Sequence, residues 1–449
     1  MEKINSADDV IFLFDTFNED SEKLYSSFLL SGKRYPALVF EENGFLPDGV
    51  TSFFGYYMGD YREAKDYLGR PRYFNQVEVP DLWEIRSTNS GGNIYDLYQE
   101  RGRIFYREPR NRRQVSIIDW LDDKGVVRAS DHYNKYGSIY ARTVFNKKGR
   151  KVNRSYFDGK GREVVQENYV TKDIILNDGD VVRIFNNRTE FALFTIRRMG
   201  YENSALYYNS LSFPFFTSER LPDNGGRDIL FWQEKINKNM PGNMRIIVDE
   251  QSVRTGRIMV QRRDSYDKLM AETGHNNIFT QLGYVYEFKR QPYWGNDALI
   301  CTNSDNIEKL TELVQGMPEM TFHIAALTEM SSKLLDMGRY DNVRLYPGAG
   351  VNKVDELFDM CNYYLDINHE SEILAAVKKA FLSNLVIMGF EETVHNREVI
   401  AEDYLYPAAK VEDMINDLRK IVNDRHLYLS YIDVQHEKAM SLKSYEGTV

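Results

Sequence analysis

Glycine recurs every twelve residues through the middle of this chain, at Gly125, Gly137, Gly149 and Gly161, and no other feature constrains the fold as much. Asp122, Asn134, Asn146 and Asp158 stand three residues before these glycines, and Leu121, Tyr133, Phe145 and Phe157 stand one residue earlier still. An Asp/Asn-x-x-Gly unit supplies a side-chain acceptor to open a turn and a residue free to take positive φ to close it. Between turns, apolar and polar residues alternate, as in Ser138-Ile139-Tyr140-Ala141-Arg142-Thr143-Val144-Phe145. Alternating segments joined by tight turns predict an antiparallel meander. The pattern extends to two more expected strands, Val181–Phe185 and Phe191–Ile196, giving a mostly antiparallel sheet from about Gly49 to Met199. Secreted sugar-binding repeats have similar periods, so a stand-alone carbohydrate-binding or adhesin module stays open.

The same stretch differs in charge. Arg101 to Glu163 holds 17 Lys and Arg against 7 Asp and Glu, while the whole 449-residue chain carries a net charge of −10. A basic, aromatic segment raises nucleic-acid binding, but no helix-turn-helix, finger or RNP signature accompanies it. A solvated sheet face, or a dock for an acidic protein surface, is the expected role, with no nucleic acid as partner. No apolar run approaches the ~18–20 residues of a membrane helix, and Met1 to Asp9 lacks the apolar stretch of a signal peptide. Two cysteines, Cys301 and Cys361, form no disulfide framework. These features predict a reduced, cytoplasmic protein whose membrane contact is limited to its surface. Seven histidines without a His-x3-His or Cys-x2-Cys pairing predict no metal site. The nucleophile elbow and the Gly-x4-Gly-Lys phosphate loop are also missing.

The flanks have α/β rhythm. Val10–Phe14 and Ala37–Phe40 read as buried strands around a helical stretch from about Glu19 to Leu30. After the meander, Asp228–Trp232, Met244–Val248 and Ile258–Val260 read as strands. From Ala298 the expected strands are Ala298–Cys301, Met320–Ala325, Val343–Tyr346, Tyr363–Ile367 and Leu385–Met388, separated by helices over Asn306–Gln315, Lys353–Cys361 and Glu372–Leu382. Helices over Val411–Asn423 and from Arg425 to about Ser441 close the chain. Short apolar strands alternating with helices imply parallel sheets covered on both faces. The expected class is α/β: two Rossmann-like domains in a GT-B-type arrangement, with an extended antiparallel β-sheet domain inserted in the first. The boundaries are residues 1–48 with 200–290 for the first domain, 49–199 for the insert, and 291–449 for the second domain with its C-terminal helices.

Doubly wound sheets bind ligands beyond the carboxyl ends of their strands. There the second domain offers Asn368, His369 and Glu370 after one strand, and Glu391, Glu392 and His395 after its neighbour. Carboxylates with histidine at adjacent strand ends make these six the candidate substrate-binding residues. Helix N-capping is the structural alternative, above all for Glu370 and Glu372. Gly348-x-Gly350 before a helix is a weaker, phosphate-type signal.

Three runs carry a family resemblance: Asp341-Asn342-Val343-Arg344-Leu345-Tyr346-Pro347, Tyr364-Leu365-Asp366-Ile367-Asn368-His369, and Gly389-Phe390-Glu391-Glu392-Thr393-Val394-His395-Asn396. Leu13-Phe14-Asp15, Asn43-Gly44-Phe45-Leu46-Pro47, Arg72-Tyr73-Phe74-Asn75-Gln76-Val77 and Pro80-Asp81-Leu82-Trp83-Glu84-Ile85 agree with them. Together they resemble the accessory-Sec glycosyltransferase-stabilising proteins, over about Val10 to Val422. The resemblance implies a non-catalytic subunit of a protein O-GlcNAc transferase, needing no cofactor and holding no catalytic residues. Its implied partners are a homologous catalytic glycosyltransferase subunit and a Ser/Thr-rich adhesin polypeptide, met at the cytoplasmic membrane face.

The residues test that implication. Retaining glycosyltransferases of this fold hold the donor diphosphate with an Arg and a Lys after the second domain's first strand, and place Glu-x7-Glu near the donor. Here that strand is followed by Thr302-Asn303-Ser304-Asp305-Asn306, and Val399 and Ile400 stand eight residues beyond Glu391 and Glu392, with Glu398 the nearest carboxylate. Losing both contributors removes the stabilisation a departing diphosphate needs. Lys309 and Lys353 remain as substitutes, so an active retaining glycosyltransferase with a variant donor site is the alternative.

Overall fold

The computed structural model describes residues 10–249 and 252–439. The readings of Met1–Asp9, Met440 and Ser441 lie outside the described residues. Two compact units result: Met1–Glu22 with Arg34–Gln281, and Lys23–Lys33 with Leu282–Val449.

The first unit opens on β1 (Val10–Phe14), every residue of which is buried. β2 (Ala37–Val39) and β3 (Val50–Ser52) follow, each parallel to its predecessor. The chain then builds ten antiparallel strands: β4 (Trp83–Ser87), β5 (Gly91–Asp96), β6 (Gln99–Tyr106), β7 (Val115–Leu121) and β8 (Val127–Tyr133) come first. β9 (Ile139–Phe145), β10 (Lys151–Phe157), β11 (Glu163–Asn168), β12 (Ile174–Asp178) and β13 (Val181–Phe185) complete the sheet. Each strand pairs with the next in sequence. The expected turns are all present. Asp122, Asn134, Asn146 and Asp158 each accept, on the side chain, the N–H groups two and four residues on.

β14 (Ala205–Tyr208), β15 (Asp228–Trp232), β16 (Thr255–Val260) and β17 (Phe279–Gln281) return to the parallel sheet, whose order is β17-β16-β15-β14-β1-β2-β3. Three expectations are corrected in this unit. Phe191–Ile196 is not a strand but the centre of a helix, Arg188–Met199, whose N-cap Asn187 accepts from Glu190 N. Its central run, Phe191–Ile196, is buried apart from the half-buried Phe194, and a short apolar run of that length imitates a buried strand. Met244–Val248 likewise belongs to a helix, Gly242–Val248, started after Pro241. The antiparallel sheet begins at Trp83 rather than Gly49, with a single antiparallel bridge ahead of it between Tyr73 and Gln114. The connection over 40–49 carries the chain back to the start of β2 and so lays β3 parallel to it.

The second unit holds β18 (Asp297–Cys301), β19 (Thr321–Ala325), β20 (Val343–Tyr346), β21 (Tyr363–Asp366), β22 (Val386–Phe390) and β23 (Leu405–Tyr406). All are parallel, in the order β20-β19-β18-β21-β22-β23. This is the doubly wound order, which reverses direction between β18 and β21. Helices Val351–Met360, Val411–Asn423 and Arg425–Ala439 cover it, and the helices expected from Asn306 and Glu372 start later, at Leu310 and Ala376. The chain is therefore mixed α/β, with two parallel sheets and one large antiparallel sheet. Among the described residues no helix is long and apolar enough to cross a membrane.

Candidate functional site

In the second unit, a cavity of about 710 Å³ opens at the carboxyl ends of β18, β19 and β21, at the reversal of strand order. Loops after parallel strands converge there, which is why such crevices receive ligands. Four of its lining side chains are carboxylates: Asp305, Glu329, Glu370 and Glu372. Among the described residues no Lys or Arg lines it, although Lys333 Nζ donates to the backbone oxygen of Asp305 at 3.2 Å. Asp305 accepts from Ser331 Oγ at 2.7 Å, and Glu372 accepts from Val377 N at 2.8 Å, capping the next helix. A dianionic diphosphate entering this field would meet repulsion where a donor site supplies cations.

Of the six predicted residues, Glu370 alone lines this cavity. Asn368 is buried beneath it, accepting from Thr302 Oγ1 at 2.9 Å and donating to Glu370 O at 3.0 Å. His369 pairs with Glu308 at 2.6 Å. His395 bridges two acceptors: Nδ1 lies 2.6 Å from Asp366 Oδ1, and Nε2 lies 2.6 Å from Glu370 O. The buried Asp366 carboxylate holds the imidazole in its charged form, with pKa raised to about 9. His395 thus fixes the loop that carries Glu370. Glu392 accepts from Ala408 N at 3.0 Å, and Glu391 projects an exposed side chain.

The remaining donor-type groups are occupied elsewhere. Lys309 pairs with Glu312 at 3.3 Å and Lys353 with Glu356 at 2.9 Å, each one helical turn away. Val399 and Ile400 are buried apolar residues. Cys301 is buried, and burial pushes its thiol up to about 12, which makes it a core residue and not a nucleophile. Sequence reasoning read Asp305 at the end of β18 but missed Glu329 and Ser331, which come from the β19 loop more than twenty residues away.

Four segments match known domain families. Residues 11–57 match the GtfB N-terminal domain, 83–186 the GtfB middle domain, 188–271 the GtfB third domain, and 298–435 the GftB/GlyA-F C-terminal domain. The UDP-N-acetylglucosamine--peptide N-acetylglucosaminyltransferase stabilizing protein GtfB of Streptococcus pneumoniae is 41% identical over 92% of this chain and 93% of its own length. A crystal structure of a GtfA/B complex bound to UDP and GlcNAc contains a chain that matches with a TM-score of 0.89 and 39% identity, covering 98% of this chain and 99% of that one. The pneumococcal O-GlcNAc transferase GtfA, solved with UDP and GlcNAc, shares the fold alone, at 13% identity and a TM-score of 0.52 over 98% of each chain. With two-fifths of its residues identical along nearly the full length, this chain belongs to the GtfB family of glycosyltransferase-stabilizing proteins.

Proposed function

We propose that this chain is the non-catalytic subunit of a protein O-GlcNAc transferase. It stabilises a homologous catalytic glycosyltransferase and binds the Ser/Thr-rich adhesin polypeptide that receives the sugar, in the cytoplasm at the inner membrane face. Its relatives carry the name of stabilizing proteins, and a 39%-identical chain occurs in a GtfA/B complex. The observation that carries the reading is the acidic cavity at the strand-order reversal, built where a transferase would cradle a diphosphate. Two Rossmann-like domains in a GT-B-type arrangement, over 1–48 with 200–290 and over 291–449, fit the two parallel sheets. The insert, over 49–199, fits the antiparallel one.

A polypeptide rich in Ser and Thr offers hydroxyls and amides in place of apolar area, so its recognition rests on hydrogen bonds of about 1 kcal/mol each. Glu370 and Glu391 supply exposed acceptors for them. Asn368, His369, Glu392 and His395 hold the backbone that presents those carboxylates. The basic, tyrosine-rich sheet docks the catalytic subunit, since sheet edges and flat faces invite pairing.

The test combines transfer and assembly. The chain alone should transfer no radiolabelled GlcNAc to an acceptor peptide, and transfer should need the catalytic partner. Glu391→Ala with His395→Ala should weaken binding of an unglycosylated Ser-rich peptide while the complex still elutes intact. Deleting residues 83–185 should abolish the complex. Transfer by the isolated chain would instead establish the variant-donor transferase, and unchanged peptide binding by the double variant would remove the site assignment.

A further inference from the structure

A second cavity, of about 370 Å³, lies wholly within the first unit, between the loop that leaves β2 and strands β7 to β10 of the antiparallel sheet. Its lining includes Arg154, which is only 8% exposed. The Arg154 Nε donates to Thr143 Oγ1 at 2.8 Å, and tyrosines surround the guanidinium, with the Tyr169 ring centre at 6.0 Å. Among the described residues, the carboxylates nearest in the fold are committed to other groups. Glu167, the direct cross-strand neighbour of Arg154, gives both oxygens to Arg188 at 2.5 and 3.0 Å. Glu42 lines the cavity but accepts from Ser52 Oγ at 2.5 Å and Gly44 N at 2.7 Å, and burial pushes it toward the neutral acid.

An arginine stays charged in any protein environment, and a buried charge ordinarily has an opposite charge beside it. Arg154 makes no ion pair among the described residues, since Glu167 beside it is bonded to Arg188, and it faces a cavity. Its neighbour His132, with Nε2 2.9 Å from Thr143 Oγ1, does not supply the missing anion and stays neutral, pushed down to about 3 by burial and by Arg154 itself. The lining adds a second, exposed cation, Arg107, whose guanidinium lies 4.6 Å from the Phe45 ring centre. Phe45 and Ile117 contribute apolar surface.

We propose that this cavity binds a carboxylate, seated on Arg154 with Arg107 as the second cation and with Phe45 and Ile117 against its methylene stem. Guanidinium matches a planar carboxylate with two parallel N–H donors. The apolar lining disfavours a dianionic phosphate, which needs more donors than a carboxylate does. The carboxylate comes either on an acidic side chain of a polypeptide or as a free organic acid. This site is separate from the acidic cavity of the second unit, and its assignment does not depend on the glycosylation role.

The experiment titrates the full chain, by calorimetry at constant ionic strength, with glutarate and with the tripeptide Gly-Glu-Gly blocked at both ends. Saturable binding of at least one is expected. Arg107→Ala, a change at an exposed side chain, should weaken it about fivefold, the loss of one rim contact. Arg154→Met should abolish it, and circular dichroism would show whether that variant folds; if it does not, Arg107→Ala decides alone. Binding of the tripeptide only assigns a polypeptide source, and binding of glutarate only assigns a free acid. No saturable heat from either up to about 10 mM, an affinity unchanged in Arg107→Ala, or tighter binding of inorganic phosphate would each overturn the proposal.

Discussion

Single residues in this chain carry unusual electrostatic weight. Asp228 and Arg254 form an ion pair with neither side chain exposed, Arg254 Nε lying 2.8 Å from Asp228 Oδ2. Asp228 also accepts from Ser218 Oγ at 2.6 Å and Leu206 N at 2.8 Å, so both oxygens are satisfied. Removing one partner strands the other charge away from water. Asp228→Ala should therefore cost about 3–5 kcal/mol, read as a lower urea midpoint, whereas an unchanged midpoint would show the pair to be dispensable. His395 makes a different prediction. Its folded pKa of about 9 lies above the ordinary 6.5, because Asp366 favours the imidazolium. Its stabilisation is complete below about pH 6.5 and is lost as pH rises through 9. Stability of the chain should fall across that window, and His395→Gln should flatten the fall. An identical pH profile for the variant would assign the effect elsewhere.

At the level of elements, the turn glycines are not equivalent. Gly137 and Gly161 both have positive φ, +88° and +75°, but a Cβ on Gly137 would lie 2.9 Å from Arg70 O, whereas one on Gly161 meets nothing within 4 Å. Gly161→Ala should cost about 1–2 kcal/mol, the left-handed backbone penalty, and Gly137→Ala more than that, compared by denaturant unfolding. Equal losses would mean that the Arg70 segment yields freely. These turns were legible in the sequence because acceptor, spacing and glycine each act locally. The helix over Arg188–Met199 was not legible from its apolar run, although Asn187 and Glu190 do spell a capping pair. The candidate site was legible only in part for a related reason. Asp366 and His395 meet through the parallel pairing of β21 with β22, and Asp305 meets Ser331 through that of β18 with β19. Such contacts belong to the register of a sheet and to no single stretch of chain.

For the molecule as a whole, the doubly wound second unit carries an acidic cavity at the place where nucleotides usually bind. Calorimetry with UDP-GlcNAc on the isolated chain should give no saturable heat below about 1 mM; micromolar affinity would return donor chemistry to this subunit. The parallel sheet of the first unit has a further consequence, for synthesis. Val10 pairs with Ala205, so β1 waits for β14, while every strand from β4 to β13 finds its partner in the segment made just before or after it. Local pairing is fast and long-range pairing is slow. On the ribosome the antiparallel sheet can close while β1, β2 and β3 still lack the strand that joins them to the rest. Nascent chains arrested before β14 emerges should resist protease over residues 83–185 and be cut within 10–52, so that the middle of this protein is finished before its beginning.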